Sequence, residues 1–144
     1  ALYAGNELKP EALLLAETVV NAVGESLWLD NENQMDAVTA LSGSGPAYFF
    51  YIMESLIQAG MTLGLSEKQA RQLCLQTSKG AAQLAMQSKQ SLIKLRQQVT
   101  SPGGTTEAAI QVLQQRQINT ILTQALVAAH ARSLELAKLF GDFA

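Results

Sequence analysis

Residues 118–140 read INTILTQALVAAHARSLELAKLF. Ile118, Ile121, Leu122, Leu126, Leu136 and Phe140 recur at helical spacing, which predicts a long final helix. These residues are spread too widely for one narrow stripe. A helix that is apolar around much of its circumference is buried on several sides. Ala125, Ala128, Ala129 and Ala131 give it small faces that let other helices come close. In a chain of 144 residues, some of that burial is expected to come from a second copy. His130 lies inside the stretch and reads as a packed or hydrogen-bonded histidine rather than a catalytic one.

Working back from this helix, one more is expected from Thr106 to about Gln115, with the loop Thr100–Thr106 before it. Ser91 to Gln98 reads as a short helix. Ser66 and Gln69 stand at capping-box spacing and open a helix running to about Gln87. Pro46 feeds a long apolar helix to about Leu63, whose end Gly60 and Gly64 loosen. Asn33 is placed to cap a short helix that passes through Asp36 to Leu41. No strand is expected after Asn33, so the chain reads as mainly α.

The first 33 residues differ. Pro10 suits a first helical turn, and Leu13, Ala16, Val20 and Val23 repeat at helical spacing before Gly24 stops the helix. Ser26 to Asp30 (SLWLD) reads as one short strand. A single strand cannot make a sheet. Residues 1–33 are therefore expected to be the remnant of a nucleotide-binding α/β domain, and residues 34–144 a helical dimerisation and substrate-binding domain.

Composition narrows the function classes. Apolar residues make up 48% of the chain and charged residues 15%, with a net charge of -2. That is apolar for a small domain, and it fits either a generous core or a surface covered by a partner. Lys and Arg form no block, so neither a nucleic-acid partner nor a helix-turn-helix role for LGLSEKQARQL (residues 63–73) is expected. No apolar run approaches the roughly 18 residues of a membrane span. Cys74 stands alone, which rules out an internal disulfide, and no zinc-ligand spacing occurs. A cytoplasmic location and no metal are expected.

Residues 101–106, SPGGTT, carry the chemistry. Gly103, Gly104, Thr105 and Thr106 offer four successive N–H groups where a helix begins. The glycines admit backbone forms that other residues resist, and the positive end of a helix favours a carboxylate or phosphate. Ser101, Thr105 and Thr106 add hydroxyls. The same stretch also fits an ordinary glycine-rich helix entry capped by threonine. No Lys follows the glycines, so it is not a Walker loop. Residues 36–48, DAVTALSGSGPAY, fit either a tight turn with a proline-started helix or a close backbone approach to a ligand at Gly43 and Gly45.

The pair DAVTALSGSGPAY (36–48) and VTSPGGTT (99–106), in this order and spacing, closely resembles the signature segments of pyrroline-5-carboxylate reductases. The likeness extends over essentially the whole chain. It implies an enzyme with an N-terminal Rossmann domain for NADPH (or NADH) and a helical C-terminal domain that interlocks with its twin as a homodimer. Such dimers assemble further, commonly into a ring of five. The reaction implied is hydride transfer to the C=N bond of 1-pyrroline-5-carboxylate, giving L-proline. By this resemblance the backbone at Gly104, Thr105 and Thr106 holds the substrate carboxylate, with Ser101 beside it. The Thr106 hydroxyl serves as the catalytic group, hydrogen-bonded to the ring nitrogen. Glu32 maps to a substrate contact and Gln98 to a cofactor contact. Many members carry Glu near the position of Lys89, so no role passes to Lys89. The GxGxxG fingerprint and its preceding strand are missing. The 144 residues are thus expected to be the C-terminal part, inactive alone and binding no cofactor. A stand-alone helical oligomerisation module is the alternative, but it gives no reason for SPGGTT.

Overall fold

The computed structural model describes residues 1–5 and 7–141. Seven α-helices occur among them: α1 (Pro10–Asn21), α2 (Gln34–Val38), α3 (Gly45–Thr62), α4 (Glu67–Gln87), α5 (Leu92–Gln98), α6 (Thr105–Gln115) and α7 (Ile118–Gly141). A π-helical turn, Thr39–Gly43, follows α2 directly. The chain divides into two compact units, one formed by residues 1–45 with 124–144 and the other by residues 46–123.

In the first unit, Pro10 stands at the start of α1, where a missing N–H costs nothing. Leu13, Ala16 and Val20 form its half-buried face, as their spacing predicts. Val23 falls outside the helix and is exposed, because α1 ends at Asn21, ahead of Gly24. The strand expected over Ser26–Asp30 does not form as a ladder. Among the described residues there is a single parallel bridge between Leu2 and Trp28. In it the Leu2 N–H donates to the Leu27 carbonyl and the Leu29 N–H to the Leu2 carbonyl, both at 2.8 Å. One extended segment with one bridging residue cannot propagate a sheet.

The entry to α2 also differs from expectation. Asn33 makes no side-chain cap. Instead the Asn31 side chain accepts from the Asn33 N–H at 3.0 Å, and the Gln34 side chain accepts from the Asn31 N–H at 3.2 Å. The helix then widens: the Ser44 N–H reaches back five residues to the Thr39 carbonyl at 2.9 Å. Such π turns occur mostly as single insertions in helices. This one brings Ala40 and Gly45 into full burial just before Pro46. Far along the chain, the Ser133 hydroxyl on α7 donates to Asp36 of α2 at 2.6 Å. The half-buried positions of α7 in this unit, Leu126, Ala129, His130, Ser133 and Leu136, lie on one helix face. The apolar residues on its other faces, including Val127 and Leu139, are exposed within the chain.

In the second unit, α3 and α4 form an antiparallel pair whose geometry is set at their joint. The Leu65 N–H donates to the Gly60 carbonyl at 3.1 Å and the Gly64 N–H to the Met61 carbonyl at 3.0 Å. With Gly64 at φ +99°, this is a Schellman ending, so Gly64 closes the helix rather than loosening it. Ser66 then opens α4 with a complete capping box: its hydroxyl accepts from the Gln69 N–H and the Gln69 side chain accepts from the Ser66 N–H. A Cβ on Gly60 would lie 3.3 Å from the Ala70 Cβ, so the helices touch through small residues there. Met53, Ile57 and Gly60 face Ala70, Cys74 and Ser78, and the Cys74 thiol lies 3.6 Å from the Met53 carbonyl.

This contact is narrow. Ala40 and Ala70, at 2% and 4% exposure, are the only fully buried hydrophobic side chains among the described residues. Phe49, Phe50, Tyr51 and Leu56 of α3 are exposed, as is Val99 just after α5. The chain exposes 11889 Å², where a self-sufficient chain of its mass exposes about 7,200 Å². An open groove of about 620 Å³ runs between α3 and α4, walled by Phe50, Met53, Ile57, Met61 and Leu75 with Arg71 at its side. No described helix is long and apolar enough to cross a membrane.

Candidate functional site

The loop from Ser101 to Thr106 joins α5 to α6 within the second unit. Ser91 caps α5, its hydroxyl accepting from the Lys94 N–H at 3.3 Å. That helix ends at Gln98, and the Thr100 hydroxyl folds back onto the Arg96 carbonyl at 2.7 Å. The Gly104 N–H then donates to the Ser101 carbonyl at 3.0 Å. With Pro102 second and Gly103 third at φ +69°, Ser101–Gly104 forms a type II turn.

The two glycines are required for different reasons. Gly103 occupies the left-handed region, which L side chains resist. Gly104 has an ordinary φ of −84°, but a Cβ there would lie 3.0 Å from the Ser101 carbonyl oxygen. The chain therefore folds too tightly over Gly104 for a side chain to fit without movement.

Gly104 is the N-cap of α6 and brings no side chain to cap it. The N–H groups of Thr105, Thr106 and Glu107 thus stand at the helix start with no acceptor among the described residues, and the hydroxyls of Ser101, Thr105 and Thr106 are likewise uncommitted among them. Thr106 is half-buried and Thr105 exposed. Four convergent donors were expected from the sequence at Gly103–Thr106. Two of those are used internally: Gly104 by Ser101, and Gly103 by the Glu107 carboxylate, whose Oε2 accepts its N–H at 2.7 Å. The donors left to an outside anion are shifted one residue along the chain. Glu107 escaped the sequence reading, although a Glu in the third helical position is a recognised capping signal.

The remaining candidates are more scattered. Gln98 is exposed at the end of α5, three residues before Ser101. Glu32 is exposed and belongs to the other compact unit, where its carbonyl accepts from the Met35 N–H at 2.9 Å. No cluster of three or more His, Cys, Asp or Glu able to hold a metal occurs among the described residues.

A helical subunit-pairing domain with a donor-rich helix entry is the class these features define. Its kinship is specific. The sequence profile of the pyrroline-5-carboxylate reductase dimerisation family matches residues 32–136, and the chain belongs to that family. It is 50% identical over 141 residues to pyrroline-5-carboxylate reductase of Pseudomonas aeruginosa, covering 98% of this chain and 52% of that protein. It is 44% identical over 140 residues to the Pasteurella multocida reductase, covering 96% and 51%. The chain therefore spans about half the length of these curated relatives. Among solved structures, the Coxiella burnetii pyrroline-5-carboxylate reductase superposes with a TM-score of 0.89 at 46% identity, over 93% of this chain and 50% of that one. The Plasmodium falciparum pyrroline carboxylate reductase, solved with NADP bound, superposes at 0.83 with 32% identity, over 90% and 53%.

Proposed function

We propose that this chain is the pairing and substrate-holding half of a reductase that converts 1-pyrroline-5-carboxylate to L-proline. The observation that carries the proposal is the start of α6, where three uncommitted N–H groups stand beside the hydroxyl of Thr106. The substrate offers one carboxylate and one ring nitrogen. The N–H groups of Thr105, Thr106 and Glu107 hold the carboxylate, helped by the positive end of the helix. The Thr106 hydroxyl hydrogen-bonds the ring nitrogen and orients the C=N bond, with Ser101 at the edge of the site. Gly104 acts through shape, by letting the turn close. Glu32 and Gln98 are assigned the outer contacts, Glu32 to substrate and Gln98 to cofactor.

The cofactor assigned is NADPH (or NADH), which supplies the hydride when bound. The residues present do not fit a dinucleotide cradle. The described residues contain no sheet, and the glycine-rich turn follows a helix rather than a strand. The cofactor is therefore held outside these residues, apart from the contact assigned to Gln98. The partner is a second copy, which covers the apolar faces of α3 and α7, and the ring-type assembly of such dimers belongs to the same proposal. Neither nucleic acid nor membrane is a partner. A cytoplasmic setting suits the free thiol of Cys74.

The test is steady-state kinetics on the complete reductase carrying Thr106→Ala. Loss of one charge-assisted hydrogen bond, about 1.5–3 kcal/mol, lowers turnover roughly 10- to 150-fold. The N–H groups remain, so substrate binding survives in part. Wild-type turnover at an unchanged melting temperature would remove Thr106 from the mechanism. A complete protein without activity on pyrroline-5-carboxylate would overturn the proposal and leave an oligomerisation module.

A further inference from the structure

Among the described residues, Glu107 is the one acid tied into the SPGGTT turn. Its Oε2 accepts the Gly103 N–H at 2.7 Å, while Glu107 itself occupies the third position of α6. This bond reaches past the N-cap residue to the left-handed residue before it. It therefore joins the type II turn to the first turn of the helix. Two hydrogen bonds then fix the backbone on either side of Gly104: Gly103 to Glu107, and Gly104 to Ser101. Glu107 is half-buried and lines a polar pocket of about 240 Å³ with Arg96, Gln97, Thr100, Ile110 and Gln111. It forms no ion pair among the described residues.

The carboxylate has two effects of opposite sign. As an acceptor it aims the neighbouring N–H groups and the Thr106 hydroxyl. As an anion at the same helix start, it opposes the entry of a second carboxylate. Neutral glutamine keeps the acceptor and removes the charge. Alanine removes both.

We infer that Glu107 is a positioning residue of the reductase: it holds the SPGGTT turn in register with α6 so that Thr106 meets the ring nitrogen, at some cost in substrate affinity. This rests on the proposed function above and extends it to a residue outside the signature stretch. The experiment compares the complete enzyme with its Glu107→Gln and Glu107→Ala variants, measuring kcat, KM for pyrroline-5-carboxylate and melting temperature.

Glu107→Gln is expected to keep kcat within about twofold while KM falls roughly two- to fivefold, the range of a weakly screened surface charge. Glu107→Ala is expected to lose roughly five- to thirtyfold in kcat, as an oriented hydrogen bond is lost. Kinetics in both variants like those of wild type would overturn the inference, as would equal losses in both that track melting temperature. A wild-type enzyme that fails to turn over pyrroline-5-carboxylate would instead strike the proposed function. If Glu107→Ala does not fold, the Gln variant alone decides: an unchanged or raised KM overturns the role of the charge, and a kcat loss beyond about fivefold that of the acceptor.

Discussion

Gly103→Ala is the most direct probe of the SPGGTT loop, because its cost is one of backbone conformation alone. Gly103 has φ +69°, and a Cβ added there meets nothing within 4 Å. No packing penalty arises, and the left-handed backbone costs an L residue about 1–2 kcal/mol. Escape to negative φ would be no cheaper. It would release the Gly103 N–H from Glu107 and the Gly104 N–H from Ser101, together worth about 2–4 kcal/mol. The variant should therefore keep the turn and bear the strain. Alanine also narrows the unfolded ensemble, which returns about 0.4–1 kcal/mol. The net expectation is a loss of about 1 kcal/mol, or about 2–5 °C in melting temperature. Asparagine tolerates left-handed backbone better than alanine, so the order of stability should be Gly, then Asn, then Ala. Denaturant unfolding of the complete protein measures the order. Activity assays should show KM for pyrroline-5-carboxylate rising in the same sequence. An alanine variant as stable as wild type, with Asn no better than Ala, would mean that the loop does not hold the turn described.

Self-association should be strong: the exposed apolar faces of α3 and α7 imply an interface of more than about 2,000 Å² in total, and a stable monomer in light scattering at micromolar concentration would contradict this. The 144 residues on their own should show no turnover with either nicotinamide cofactor, since the described residues form no dinucleotide cradle; measurable proline formation by the purified chain would overturn that assignment. Ser66→Ala removes the hydroxyl half of the capping box at α4 and should cost about 1 kcal/mol of unfolding free energy. An unchanged denaturation midpoint would show that the cap is dispensable.

Helices were the most legible part of this chain, because each carries its own boundary chemistry. Ser66 with Gln69, Ser91 and Pro10 mark starts that the structure places within a residue of expectation. The elements that escaped notice depend on what lies outside the local window. The SLWLD segment has a strand composition but, among the described residues, only Leu2 bridges to it. The π turn at Thr39–Gly43 leaves no mark in periodicity over so few residues. At the loop, the glycines and threonines announced a donor-rich helix entry. Which N–H groups remain free was decided by the turn at Ser101 and by Glu107 folding back four residues onto Gly103, a local capping bond that its third helical position signals. The sequence could not show that α7 half-buries only one face within the chain, since its apolar residues look alike whether a neighbour belongs to the same molecule or another.

The division of the chain into units has a consequence for synthesis. Residues 46–123 are contiguous, so α3 to α6 can pair as they leave the ribosome. The other unit is not contiguous: residues 1–45 need residues 124–144, and the hydrogen bond from Ser133 to Asp36 spans 97 positions. The opening segment must wait for the last helix, which at about 5–20 residues per second follows the middle unit by roughly 1–4 seconds. During that interval Leu13, Ala16 and Val20, the half-buried face of α1, still lack the residues that complete their unit. Of these residues, 1–45 are thus the stretch left longest open to chaperones and to mispairing, since they precede the contiguous unit but are completed after it.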